Sequence, residues 1–117
     1  ESNGRARCGI GRGDSSAAHI GQRNATTAQL RTYVEQVRGY LRGETVMRGE
    51  TSSRMRWLEP GELPVVPLDL ACTGPATIRM AADVADRITY DVAVAAGQGG
   101  RDSQASRRIV TEVRAAC

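Results

Sequence analysis

Val65-Val66-Pro67-Leu68-Asp69-Leu70-Ala71-Cys72-Thr73-Gly74-Pro75 is the stretch on which the fold turns. An apolar run with one charged residue, Asp69, ends in a turn, and a proline then opens a helix-forming segment. A nearly continuous apolar run suits a parallel strand covered on both faces. Proline at the first helical position loses no hydrogen bond that a helix start would have made. The same grammar occurs earlier, in Arg7-Cys8-Gly9-Ile10-Gly11-Arg12-Gly13-Asp14. A strand feeding a helix through a turn with little side chain leaves backbone N–H groups facing outward, where the helix dipole favours an anion. Two such units in one short chain imply a repeated βα architecture with one ligand-binding face.

Working outward, Arg5 to Gly11 reads as a short strand and residues 12–24 as a polar, glycine-containing loop that includes His19. Thr26 and Gln29 then have capping-box spacing. Leu30, Val34, Val37 and Leu41 recur at helical intervals up to Gly43, a C′ glycine. Residues 44–63 hold no steady period and read as a brief hairpin or irregular excursion, with Trp57 as a packing residue. Pro64 opens the second strand, which runs to about Ala71. Gly74-Pro75 starts a helix with an Ile78, Ala81, Ala82 and Ala85 stripe that ends near Asp86. Ile88 to Val94 is rich in β-formers and makes a third strand. A glycine-rich stretch, Gly97 to Gly100, follows, and Ser103 caps a last helix on which Ile109, Val110, Val113 and Ala116 align. The expected order is parallel β-α-(excursion)-β-α-β-α, an α/β fold in one domain.

Composition sets the limits. The 117 residues suffice for one small domain. Phe is absent, so packing rests on Val, Ile, Leu, Ala and Met. A net charge of +3 suggests nucleic acid, yet all 16 basic residues are Arg, scattered among Asp and Glu rather than clustered. No nucleic-acid partner is expected. Without an apolar signal segment or a bilayer-length apolar run, neither is a membrane. Cys8, Cys72 and Cys117 leave an odd thiol and form no C-x-x-C, so reduced thiols in the cytoplasm and no metal site are expected. Asn24-Ala25-Thr26 and Arg12-Gly13-Asp14 are read as chance matches to glycosylation and integrin motifs.

Ligands of parallel α/β folds collect at the carboxyl ends of strands, which puts residues 11–24, 72–75 and 94–102 on the binding face. Gly9-x-Gly11-x-Gly13 lacks dinucleotide-fingerprint spacing, and a Walker lysine is impossible in a chain without lysine. Arg12, where a strand meets its loop, suits bidentate pairing with phosphate. A surface salt bridge, with Asp14 for instance, is an equal alternative. Thr73 offers a hydroxyl and the following N–H groups to a phosphate or flavin-type ring, or else simply caps a helix. His19 is a candidate proton donor, though a solvated loop histidine is commoner. Asp69 and Asp91 are expected to pair with arginines in a barrel interior.

Several linked segments resemble the luciferase-like monooxygenase superfamily. They are Gly4-Arg5-x-x-Cys8-Gly9-Ile10-Gly11-Arg12-Gly13-Asp14-Ser15 with His19-Ile20-Gly21, then Tyr33-Val34-x-x-Val37-Arg38-x-x-Leu41-Arg42-Gly43-Glu44. The last is Leu63-Pro64-Val65-Val66-Pro67 through Ala71-Cys72-Thr73-Gly74-Pro75 to Ala81-Ala82-Asp83-Val84-Ala85-Asp86. The chain is similar in particular to the branch containing coenzyme F-420-dependent methylene-tetrahydromethanopterin reductase, over roughly residues 4–93. Arg87 and Gln98-Gly99-Gly100 depart from the family pattern.

The resemblance implies a (β/α)8 TIM barrel of about 250 residues. Of this barrel the chain would hold one partial domain, 1–117, from about strand four to helix six, with the non-core excursion at 44–63. It implies an oxidoreductase using reduced FMN or coenzyme F-420 for hydride transfer or oxygen activation on a small organic substrate. By resemblance, Gly11, Arg12 and Gly13 match the loop where an arginine contacts the cofactor phosphate. Cys72, Thr73 and Gly74 match the turn along its ribityl-phosphate side. No catalytic residue is implied, because the acid/base groups belong to strands outside this chain. A partial barrel is expected to be inactive alone and, through its unpaired strand edges, either aggregation-prone or a homo-oligomer. The alternatives are a truncated, inactive remnant or a cofactor-binding structural homologue, and an unrelated phosphate-binding protein with an open sheet.

Overall fold

Alternation along three short strands divides the molecule into a packed side and an open side. The computed structural model describes residues 3–91 and 108–111. Strand β1 (Cys8–Gly11) pairs parallel with β4 (Leu68–Cys72), and β4 pairs parallel with β5 (Arg87–Asp91). Between β1 and β4 lie α1 (Asp14–His19), α2 (Thr27–Leu41) and the antiparallel hairpin of β2 (Val46–Arg48) and β3 (Thr51–Ser53). Helix α3 (Pro75–Val84) links β4 to β5. A last strand, β6 (Arg108–Thr111), completes the order β1-β4-β5-β6.

Leu68, Leu70 and Cys72 on β4 and Ile88 on β5 point to the helices, and all are buried with Leu30 and Val34 of α2 and Met80, Ala81 and Val84 of α3. Cys8, Ile10 and Tyr90 extend this layer. Helix α2 forms as its sequence demands. The Thr26 hydroxyl accepts from Gln29 N at 3.1 Å and the Gln29 side chain accepts from Thr26 N at 2.9 Å, both halves of the capping box. The helix stops at Gly43, whose φ of +73° is left-handed and whose missing Cβ would lie 2.5 Å from Leu58 O. At its far end α2 grips α3: Arg38 donates to Val84 O and to Asp86 Oδ2. Asp86 in turn accepts from Leu68 N at 2.8 Å, fixing the start of β4.

Several expectations are corrected. β4 begins at Leu68 rather than Pro64, because Pro64 and Pro67 have no N–H to give a ladder. It is covered on one face only, since Ala71 is exposed and Asp69 half-buried on the other. The loop at 12–24 contains α1, which turns out of β1 through the left-handed Gly13. Of the stripe expected along α3, Ala81 and Ala85 are buried and Ile78 packs against the core, but Ala82 is exposed, and Thr77, Met80 and Val84 supply the rest of the buried face. Trp57 is 81% exposed, so it does not pack. The final helix is also wrong where it can be checked. Residues 108–111 form β6, antiparallel to β5, as the β-branched Ile109-Val110-Thr111 run favours. The fully parallel order therefore ends at β5. The Gly97–Gly100 stretch and the binding-face segment 94–102 lie outside the described residues. No helix among the described residues is long and apolar enough to cross a membrane.

Candidate functional site at the carboxyl rim of the sheet

Because β1 and β4 run parallel and in register from Cys8↔Leu68 to Gly11↔Ala71, the segments that follow them leave the sheet at the same end. After β1 come Arg12 and then Gly13, whose φ of +79° is a conformation L side chains rarely adopt. This turn starts α1, with Ala17 N donating to Gly13 O at 2.8 Å. It also frees the Arg12 side chain to run sideways. Arg12 Nη1 donates to Thr77 Oγ1 at 3.4 Å, across 65 residues of sequence, in the first turn of α3. Thr77 is 1% exposed. Arg12 Nε is buried and has no hydrogen-bond partner among the described residues.

After β4 come Cys72, Thr73 and Gly74. Cys72 turns its side chain into the core, where Sγ approaches Leu70 O at 3.7 Å and Thr77 O at 3.8 Å. Burial, and secondarily the Asp69 carboxylate, push its thiol up to about 11. It stays protonated at neutral pH and is no nucleophile. Only the backbone of Cys72 remains for the rim. Thr73 is exposed, and Gly74 is the extended N-cap of α3. The N-cap residue Gly74 offers no side-chain cap, and no acidic residue occupies the first turn of α3.

The charge arrangement here is unusual. A helix start carries partial positive charge and N–H groups without intrahelical partners, so it ordinarily attracts a carboxylate. Here a guanidinium hydrogen-bonds to that first turn instead. An anion between them would meet both positive charges and an unfulfilled N–H donor. The donor set therefore suits an anionic group such as a phosphate.

The open sheet face continues from this rim. Gly9, Gly11, Asp69, Ala71 and Thr89 line a hollow of about 350 Å³. Small residues keep it clear: Gly11 presents only hydrogen, and a Cβ there would sit in ordinary contact, 3.7 Å from Ala71 Cβ. Thr89 Oγ1 donates to Asp69 Oδ1 at 2.9 Å. Thr89 is thus one partner of Asp69, and Arg87 stands opposite Asp69 in the β4–β5 register; the Asp91 side chain lies outside the described residues. His19 ends α1, exposed. Among the described residues no group of His, Cys, Asp or Glu could hold a metal ion.

The family model of the luciferase-like monooxygenases matches residues 1–114. The chain belongs to this family. No curated protein and no solved structure matches the chain. Membership makes it an oxidoreductase of the luciferase-like class, and the three parallel strands β1, β4 and β5 with α2 and α3 on one side agree with part of an α/β barrel wall.

Sequence reading singled out Gly11, Arg12, Gly13, Cys72, Thr73 and Gly74; the fold brings all six to one end of the sheet, but the Cys72 side chain turns into the core and away from the rim. It did not find Thr77. The available signal was a polar residue inside the apolar spacing of α3, at the third position of a helix whose start was already evident from Gly74-Pro75.

Proposed function

We propose that this luciferase-like chain contributes the phosphate-binding wall of an oxidoreductase site that takes reduced FMN or coenzyme F-420. The observation that carries the reading is Arg12, drawn onto the acid-free start of α3 with its Nε unpartnered among the described residues. Arg12 would pair phosphate oxygens, while Gly74 and the first-turn N–H groups of α3 would complete the cradle. Gly11 and Gly13 keep side chains out of the approach, and Thr73 stands at its edge. When bound, the cofactor supplies hydride transfer or oxygen activation on a small organic substrate. The protein residues bind and orient. A cytoplasmic setting, in which the free thiols of Cys8 and Cys72 stay reduced, goes with this reading.

Titrating the full chain with FMN, with riboflavin, which lacks the phosphate, and with coenzyme F-420 tests it. FMN should bind more tightly than riboflavin, and Arg12→Ala should lower FMN affinity by roughly tenfold while leaving riboflavin unchanged. Equal FMN affinity before and after the substitution removes Arg12 from the site.

A second reading, an inactive remnant or structural homologue that self-associates, is favoured by a different observation. Among the described residues β1 ends the sheet order, and its open face carries exposed Gly9 and Gly11. An unpaired edge beside an uncovered face invites strand pairing between copies. A monomeric size-exclusion profile together with turnover would exclude it.

A further inference from the structure

We infer that Thr77 is the positioning residue of this anion site: a buried, neutral acceptor that holds the Arg12 guanidinium across the start of α3 without cancelling its charge. The inference rests on the phosphate reading above and goes beyond it, because nothing in that reading requires a particular partner for Arg12. Two observations converge on Thr77. Its side chain is almost fully buried in an otherwise apolar stripe, between the sheet and the body of α3. A hydroxyl placed there needs a hydrogen-bonding purpose, since burial of an unmet one is costly. Its Oγ1 accepts from Arg12 Nη1, the contact that ties the turn after β1 to the helix after β4.

The choice of residue type matters. At this third helical position a Glu or Asp would satisfy the guanidinium and the helix dipole together. That internal ion pair would compete with any arriving anion and neutralise the site. Valine, of nearly the same shape, would leave Arg12 without an anchor, and a long arginine side chain loses considerable rotamer freedom when it must be ordered by the ligand alone. Threonine fixes direction while preserving positive charge. Its carbonyl also receives the Cys72 thiol at 3.8 Å, so the same residue joins the end of β4 to the helix start.

The test compares FMN with riboflavin binding for the full chain, using the ratio of the two affinities as the readout. Thr77→Val should reduce the FMN preference by about fivefold, the scale of one lost hydrogen bond of ordinary net strength, with riboflavin affinity unchanged. Thr77→Ser, which keeps the hydroxyl, should restore the preference. In an Arg12→Ala background Thr77→Val should change nothing further, because its action runs through Arg12. Thr77→Ala carries the same comparison if the valine variant fails to fold by circular dichroism. An unaltered preference in Thr77→Val, alongside a collapsed one in Arg12→Ala, overturns the role of Thr77 and leaves the phosphate site standing. A parent chain that binds FMN no better than riboflavin overturns both.

Discussion

The two faces of the parallel sheet are built from the same strands and could hardly differ more. On β4, Leu68, Leu70 and Cys72 are each 1% exposed or less, while Asp69 and Ala71 between them are half-buried and exposed. The helix side is shaped by dispersion and exclusion of water, and it tolerates no void. The other side is lined by Gly9, Gly11, Ala71, Thr89 and Asp69, residues that leave space and keep polar atoms hydrated. Stability therefore resides on one face and access on the other. The candidate site sits where both end, at the carboxyl rim, drawing its arginine from one strand end and its anchor from the helix after the next.

The sharpest way to break this contrast is a matched pair on β4. Leu70→Ala should cost about 3–4 kcal/mol in urea unfolding, whereas Ala71→Leu should change stability by less than about 1 kcal/mol. A large loss from Ala71→Leu would mean that the open face is packed after all.

Alkaline titration sharpens the same contrast through Cys72, whose thiol is pushed up to about 11 in the folded chain. An unfolded thiol ionises at lower pH, so between roughly pH 9 and 11 the unfolded state holds fewer protons than the folded one. Stability that is complete below that window is lost as pH rises through it. Discounted for solvent screening, the loss should be about 2 kcal/mol, and Cys72→Ala should flatten that part of the curve. Half-buried Cys8 should alkylate faster than Cys72 at neutral pH.

Smaller effects are expected on the open face. Thr89→Val removes the hydroxyl that Asp69 accepts and should cost about 0.5–1 kcal/mol, since water can replace the donor. Gly9→Ala should fall within about 0.5 kcal/mol of neutral, because a Cβ there meets nothing within 4 Å. A loss of several kcal/mol at either position would show that this face is covered.

What could be read in advance followed from local rules. The Thr26–Gln29 box, the C′ role of Gly43 and the Gly74-Pro75 helix start each depend on residues within one turn of each other, so spacing alone specifies them. Strand parity was harder. The run from Val65 to Cys72 reads as apolar throughout, and only pairing with β1 and β5 shows that Asp69 and Ala71 share an uncovered side. At the other end, Ile109 and Val110 satisfied a helical period while their β-branching favoured a strand. Pairing with Thr89 and Tyr90 decided between them.

By itself the chain determined its βα grammar, its caps, the glycines at its turns and its luciferase-like kinship, because these are written in short-range order and residue type. Tertiary structure alone decided which partner Arg12 would find and which side of β4 would be sealed. Thr77 stands 65 positions from Arg12, and no local interaction energy links residues so far apart until parallel pairing of β1 with β4 carries both to the same rim.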